Sequence, residues 1–582
     1  MKNDKLDNST MATIGFESKF TMLKMTAKRQ LVVFGFLLFA QLLAWSVLTG
    51  KFLPDHYFYY TAKYFESSIL AGTGIFSRAP VSITYDGQEG AVPAVKLAAC
   101  LIDVAGESLD IMKKYFMLSL LVYPVGFIVA NKYYLRHGKR LMQDKHIRGV
   151  KLIDEKELVR QMKKNDEKVD FQIGEVSMPV QAECKHSLTA GRIGTGKTTA
   201  MLKVMSRSMA RGDKGVIYDY KGDFVQHFYN KERGDVIFNP LDIRCCPWSV
   251  LNEVETRMDV DNIAASIIPD AKAGKDVFFN NAARDIFAGM LFYLKKQGKT
   301  SNRDVWNMIS SPKVVVAEAF KNTPGCERAR TYYDDADSKS YPDVFNTMMQ
   351  FVKVFEYMAA IDGDFSLRKW LEEGKGWIFV SNRETEKETL RPILSLMIDL
   401  LSRRTLDLSN DLNRRIMFFL DEFATLQKLT SIVSLLTGAR SRGASVWIGI
   451  QDAGAITNIY GEHTRQTIIN ALTTKVLFGV SEPDTAKYLS QIISTEEVSV
   501  VSDGQSWGPA LMRDGMSVNR ADKDKALVTA AQLIDLKELH CYVKFPNYDA
   551  TLTILPNTNG KPNDTYPIIA ERFTLRPDLA KF

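Results

Sequence analysis

Gly191-Arg192-Ile193-Gly194-Thr195-Gly196-Lys197-Thr198 is the stretch from which the fold of this chain is read. It fits G-x-x-x-x-G-K-[ST] without a departure. Gly191, Gly194 and Gly196 let the backbone turn with its N–H groups facing inward, which makes an anion nest. The run Thr199–Ala210 (TAMLKVMSRSMA) is a good helix former, so a helix N-terminus points at the same anion. Lys197 is placed to reach β- and γ-phosphates, and the Thr198 hydroxyl to ligate Mg²⁺. A nucleotide-binding loop is therefore expected from Gly191 to Thr199, with Arg192, Ile193 and Thr195 between the glycines.

Outward from the loop, His186–Thr189 (HSLT) approaches it, and a second strand is expected at Gly215–Tyr220 (GVIYDY), as a βαβ unit requires. Ile416–Leu420 (IMFFL) is fully apolar, which suits a parallel strand buried on both faces. It ends in Asp421 and Glu422, where open α/β sheets bind ligands. Asp421 is the candidate for holding the Mg²⁺ shell through water. Glu422 is the candidate general base for an attacking water. The competing reading is an acid that caps the next helix. Leu426, Leu429, Ile432, Val433 and Leu436 then form a helical core stripe, which stops at Gly438. The strand Val446–Ile450 ends at Gln451, whose amide can sense a γ-phosphate or orient water. Arg440 and Arg442, between stripe and strand, can reach a neighbouring subunit's nucleotide. A solvated helix end explains them equally well. Further strands are expected at Gly376–Ser381 and Lys475–Gly479, with a buried helix at Leu390–Leu401 between them.

Loop and acidic strand lie much further apart than one compact βαβ core needs. The excess reads as helix at Asp259–Ile268, Val277–Lys296, Pro312–Asn322 and Val344–Ile361. This predicts an α/β P-loop nucleotide-binding domain with an inserted all-α subdomain. Thr495–Lys525 is polar and reads as a mobile loop.

The chain has 582 residues, 46% hydrophobic and 25% charged, with a mean hydropathy of −0.13. These values exclude general disorder, a fibrous repeat and a purely membrane-embedded transporter. A net charge of +7 suits a polyanion or an anionic bilayer. Six cysteines without zinc-like spacing fit a reduced cytosolic body. Two apolar runs, 31–49 and 115–135, are long enough to cross a hydrocarbon core of roughly 30 Å as helices. Residues 1–30 hold six basic and three acidic side chains, and 131–151 seven basic and one acidic. The segment between the runs, 51–114, holds six basic and seven acidic. An N-terminal two-helix anchor with both termini cytoplasmic and a periplasmic loop follows from that bias. The expected organisation is a cytoplasmic N-terminus at 1–30, an anchor at 31–135, nucleotide-binding parts at 136–250 and 366–582, and the all-α domain at 251–365.

With these residues in place, the chain resembles the type IV coupling proteins of bacterial conjugation. The resemblance rests on the two spans, GRIGTGKTTA, VIYDYKGDF (Val216–Phe224) and FNPLDIRCCPW (Phe238–Trp248). It continues through FFLDEFATLQKL (Phe418–Leu429), GARSRGASVWIGIQ (Gly438–Gln451) and CYVKFPN (Cys541–Asn547). It implies a RecA/FtsK-like nucleotide domain with an all-α domain, in inner-membrane-anchored homo-hexamers that use ATP and Mg²⁺. It further implies partners: single-stranded plasmid DNA, a bound relaxase within its relaxosome, and a type IV secretion channel. Carried over by position, Lys197 and Thr198 bind phosphate and Mg²⁺, and Asp421 and Glu422 are the acidic pair. Arg440 matches the arginine finger and Gln451 the sensor glutamine. Some members carry a long C-terminal tail that docks DNA-processing partners. This chain stops at Phe582, so the resemblance does not extend to that docking mode. The alternatives are a coupling ATPase for protein substrates only, a nucleotide-gated scaffold with little turnover, and a double-stranded DNA pump. The short anchor and the helical insertion speak against the pump.

Overall fold

The computed structural model describes residues 8–141, 145–271, 276–333, 341–506, 515–556 and 566–579. In chain order the strands are β1 (Pro80–Tyr85), β2 (Gln88–Pro93), β3 (Lys145–Gly149), β4 (Leu152–Ile153), β5 (Val169–Ile173) and β6 (Val176–Pro179). They continue with β7 (Ser187–Ala190), β8 (Lys214–Asp219), β9 (Val236–Phe238), β10 (Trp377–Ser381), β11 (Ile416–Leu420) and β12 (Ala444–Ile450). The last are β13 (Thr474–Leu477), β14 (Thr495–Ser506), β15 (Gly515–Ala526), β16 (His540–Lys544) and β17 (Ala550–Ile554). The chain divides into two units, Met1–His146 with Val498–Lys523, and Ile147–Glu497 with Asp524–Phe582.

In the first unit, four helices, α1 (Asn8–Phe52), α2 (Tyr57–Gly72), α3 (Ala94–Ser119) and α4 (Val122–Leu141), accompany the β1–β2 hairpin. Two stretches, Thr26–Phe52 and Ala94–His137, are long and apolar enough to cross a membrane. Leu31, Phe36, Phe39, Phe127 and Ile128 stand exposed on them, whereas a soluble core helix would bury such side chains. The second stretch breaks at Leu120–Leu121, between α3 and α4. Pro124 has no N–H to give the Leu120 carbonyl, so a continuous helix loses that bond. The run expected at 115–135 straddles this break. β1 and β2 turn over Asp86 and Gly87, both at positive φ, as a two-residue hairpin requires.

The second unit is built on a ten-stranded sheet in the order β4-β17-β16-β13-β7-β12-β11-β8-β10-β9. From β13 to β9 neighbouring strands run parallel, and β16 and β17 extend the sheet antiparallel. Successive residues of the parallel strands feed two separate cores. Ile416, Phe418 and Leu420 of β11 enter one, and Met417 and Phe419 the other. That is why these strands read as unbroken apolar runs rather than as alternation. The helix Lys387–Asp407 covers one face and buries Leu390 to Leu401 almost without exception.

Between β9 and β10 the described chain is helical. Its longest pieces are Arg257–Ile267, Asp276–Lys296 and Tyr341–Val352. Ile263, Phe287 and Met348 join the same continuous core as Val216 and Phe418, so the helices and the sheet share one interior.

Two expectations need correction. Thr495–Lys525 is not a loop: β14 and β15 occupy most of it, and β14 lies between β15 and β3 in a three-stranded sheet. Only the tip, 507–514, lies outside the described residues. Its polar sequence concealed the strands because no alternating apolar face marks them. The stripe from Leu426 to Leu436 is not one helix either. A 3₁₀ turn at Phe423–Thr425 is followed by an irregular arm, and helix begins only at Ile432. Leu426 and Leu429 are nevertheless buried, as core residues should be.

Candidate functional site

β7 ends at Ala190, and its two neighbours fix the loop that follows. Gly191 N donates to Ile450 O beyond one edge (3.1 Å), and Arg192 N to Gly479 O beyond the other (2.8 Å). Ile193 stands exposed at the tip. Gly194 and Gly196 have φ of 81° and 112°, the left-handed region where a side chain is strained. Gly196 also faces Leu555 and Leu539, and a Cβ there would lie 3.0 and 3.1 Å from their methyl carbons. Thr195 Oγ1 donates to Arg192 O (2.7 Å), and Thr195 O accepts from Leu539 N (2.9 Å). The helix Lys197–Arg211 then begins, with Thr198 and Thr199 half-buried in its first turn.

Lys197 is buried, and its Nζ donates to the loop's own carbonyls, Gly191 O (2.5 Å) and Arg192 O (3.2 Å). Burial pushes its pKa down, against the pull of the Glu422 and Asp421 carboxylates. A buried ammonium held only by carbonyls, inside a ring of glycine turns, suits an incoming phosphate.

The strand order decides what faces that loop. β12 lies between β7 and β11, so its end, Gln451, stands between the loop and the acidic pair. Gln451 Nε2 donates to Glu422 Oε2 at 2.5 Å. β12 passes so close to the end of β11 that a Cβ on Gly449 would sit 2.0 Å from Asp421 O. Only glycine fits there. Burial raises the Asp421 pKa to about 7, helped by Glu422 and opposed by Lys197. Burial raises that of Glu422 too, against the Gln451 hydrogen bond and Lys197. Neither carboxylate has an ion-pair partner within 4 Å among the described residues. A half-buried and a buried acid without an ion-pair partner, at the end of the sheet where the helix bearing Thr198 begins, suit a hard divalent cation with oxygen ligands.

Two further residues belong to this edge. Asp219, fully buried at the end of β8, accepts from Gly222 N and Val225 N, both at 2.9 Å. It thereby shapes the turn that carries Lys221. The Lys221 charge acts on Lys197, Asp421 and Glu422 alike. Burial lifts the Asp219 pKa to about 7. The motif reading assigned neither residue a role. An acid at a strand end followed by Lys-Gly was the signal that could have found them.

Arg440 is not part of this assembly. It sits in the 3₁₀ turn Ala439–Arg442 that enters β12, whereas Gln451 leaves it. Seven strand residues at roughly 3.3 Å each separate the two ends. Its charge is felt instead by Cys184 and His186, which precede β7. Its side chain is exposed, and no described residue bonds it. Arg442 differs: its Nη1 donates to Gly438 O (2.7 Å) and closes the end of the preceding helix.

Known proteins are similar to this chain. The profile of the type IV secretion-system coupling protein DNA-binding domain matches residues 170–555. The coupling protein TraD of Escherichia coli (strain K12) is 28% identical over 440 residues, which cover 74% of this chain and 60% of TraD. Protein VirD4 of Rhizobium radiobacter is 23% identical over 389 residues, 60% of this chain and 54% of VirD4. The chain thus spans little more than half the length of these curated relatives. Among solved structures, the plasmid coupling protein TrwB in complex with ADP and Mg²⁺ superposes with a TM-score of 0.64 at 25% identity. That match covers 75% of this chain and 98% of TrwB.

Proposed function

Because the chain belongs to the type IV secretion-system coupling proteins, we propose that it is a membrane-anchored ATPase that passes relaxase-bound single-stranded DNA to a type IV secretion channel. The observation that carries this reading is a site split between two edges of one sheet. Lys197, Asp421, Glu422 and Gln451 gather at one edge, while Arg440 waits exposed at the other. Such a chain completes its site against a neighbour, which calls for a closed ring of identical subunits. We take that ring to be a hexamer, with the anchor in the inner membrane and both termini cytoplasmic. The relatives support the ligand as well, since TrwB has been solved with ADP and Mg²⁺ and with a non-hydrolysable ATP analogue.

In this reading Lys197 exchanges the carbonyls of Gly191 and Arg192 for oxygens of the β- and γ-phosphates. The backbone from Gly191 to Thr199 wraps the same phosphates. Thr198 and Asp421 hold Mg²⁺, which when bound neutralises charge on the transferring phosphoryl group. Glu422 takes the proton of the attacking water, and Gln451 keeps that carboxylate aimed. Arg440 of one subunit stabilises charge on the nucleotide of the next.

The test is ATP hydrolysis by the full chain in lipid nanodiscs, with and without single-stranded DNA, at low and high salt. Turnover stimulated by DNA and weakened by salt is the expected result. Hydrolysis indifferent to DNA would transfer the proposal to protein cargo alone. An intact, nucleotide-binding chain that hydrolyses nothing would defeat the ATPase reading and leave a nucleotide-gated scaffold.

A further inference from the structure

An arm with no regular secondary structure, Leu426–Ser431, links the acidic end of β11 to the helix Ile432–Gly438 that leads to Arg440. It therefore lies on the crossover from the end of β11 to the turn of Arg440 at the start of β12. Such an arm would ordinarily be loose. Here nearly every residue of it is bonded. Leu426 O accepts from Arg391 (3.0 Å), Gln427 N donates to Ser395 Oγ (2.9 Å), and Leu429 N donates to the Tyr460 hydroxyl (3.0 Å).

The strongest hold is Asp399, wholly buried in the middle of the helix Lys387–Asp407. Its Oδ1 accepts from Ser431 N (2.8 Å) and Ser431 Oγ (2.6 Å). Its Oδ2 accepts from Thr430 Oγ1 (2.8 Å) and Arg403 Nε (3.1 Å). The remaining donor comes from the helical insertion. Ser266, in the last turn of the helix Arg257–Ile267, has its hydroxyl 2.5 Å from Asp399 Oδ2 and 2.9 Å from Asn262 O. The carboxylate is the stronger acceptor of the two. One residue on, Ile267 O accepts from Gln427 Nε2 (3.1 Å), a direct bond from insertion to arm.

We propose that Asp399 is a positioning residue that ties the helical insertion to the arm carrying Arg440, so that a shift of the insertion resets the arginine offered to the neighbouring nucleotide. Apolar helix contacts alone would let the insertion slide over the sheet. Directional bonds to one buried carboxylate fix its register instead. The geometry thus gives a cargo engaged by the insertion a rigid route to hydrolysis. This inference rests on the proposed ATPase function.

The test uses the full chain in nanodiscs and compares Ser266→Ala, Ser266→Thr and Ser402→Ala. Ser266→Ala removes one bond and leaves Asp399 four donors, so the fold survives. It is expected to lower kcat about fivefold, the low end of typical coupling between sites, with KM for ATP unchanged. Ser266→Thr keeps the hydroxyl and should restore kcat. Ser402 is buried in the helix of Asp399, Lys387–Asp407, and bonds within it to Ile398 O. Ser402→Ala should therefore leave kcat alone while shifting the melting temperature by a similar amount. The proposal falls if Ser266→Ala turns over like the parent, or if Ser402→Ala lowers kcat as much. Hydrogen exchange separates this failure from failure of the ATPase reading. Ser266→Ala should speed amide exchange over 426–438 and leave 197–211 unchanged, whether or not the parent hydrolyses ATP. Unchanged exchange over 426–438 would overturn the proposal.

Discussion

The two edges of the parallel sheet are chemically opposite. Where the strands end, acids collect: Asp219, Asp421 and Glu422, with Lys197, Lys221 and Lys387 to offset them. Where the strands begin, cations collect: Lys214 at the start of β8, Arg414 and Arg415 before β11, and Arg440 and Arg442 before β12. Most of these cations are occupied. Lys214 donates to the carbonyls of Trp370 and Leu371, Arg414 to Ser409 O, and Arg415 to Leu412 O. Arg440 alone of the five has nothing to hold it among the described residues. The lesson is that one chain carries both halves of a charge-complementary pair and, with β12 between them, cannot join them.

The largest effect should come from the acid edge. Lys197→Ala removes the one buried cation of the loop, and both nucleotide binding and phosphate release should fall below detection. Retained binding of a fluorescent ATP analogue would break the assignment of that edge. Next, Arg440→Ala should cut turnover by about a thousandfold while leaving nucleotide affinity unchanged. Mixing the two inactive chains sharpens the comparison. A junction that pairs the intact loop of one with the intact arginine of the other should recover activity. No recovery in mixed rings would mean that Arg440 does not act across a junction.

A smaller effect is expected from pH. The folded-state pKa of Asp421 is raised to about 7 and that of Glu422 is raised as well. Asp421 is therefore protonated as pH falls through about 7, when the proposed metal ligand needs to be ionised, and Glu422 takes up its proton at a higher pH than an ordinary carboxylate. kcat/KM, which reports the free enzyme, should rise with pH through about 7, by about tenfold per unit on the acid limb. A flat profile from pH 6 to 8 would show that ionisation of Asp421 does not limit the reaction. The smallest effect belongs to Arg442→Ala. It removes a helix-end bond worth about 1 kcal/mol and should leave turnover within twofold. Two arginines in one turn would then differ by the full contrast between the edges, read by melting temperature in one case and by turnover in the other.

How much of this could be read from residues alone follows from the same contrast. Gly191–Thr198 and Ile416–Glu422 were legible because loop geometry and two-sided burial both constrain residue type at fixed positions. β8, β10, β12 and β13 were legible for the second reason, whereas the three-residue β9 was too short to show it. The order of strands was not, since nothing local to β12 says that it lies between β7 and β11. Hence the contact of Gln451 with Glu422, and the separation of Arg440 from both, had to come from the structure. Asp399 stayed hidden for another reason: a buried acid satisfied by distant hydroxyls leaves no spacing rule in the sequence. Asp219 did leave a signal, a strand-end acid ahead of Lys221-Gly222, but the motif reading gave it no role. β14 and β15 were missed because polar strands mimic a loop, and the arm at Leu426–Ser431 because its leucines fall at helical spacing by coincidence.

The wall of the phosphate loop has a consequence for how the protein is made. Gly196 rests against Leu539 and Leu555, and Thr195 O is bonded to Leu539 N, residues more than three hundred positions downstream. The apolar run at 31–49 leaves the ribosome early, and the loop soon after the second run. The chain that braces the loop is thus made long after the loop itself. A nascent chain that has passed residue 198 but not residue 555 holds the loop without its wall. Nucleotide binding is therefore deferred well beyond synthesis of the motif, and a product cut short before residue 555 would carry the motif without the grip.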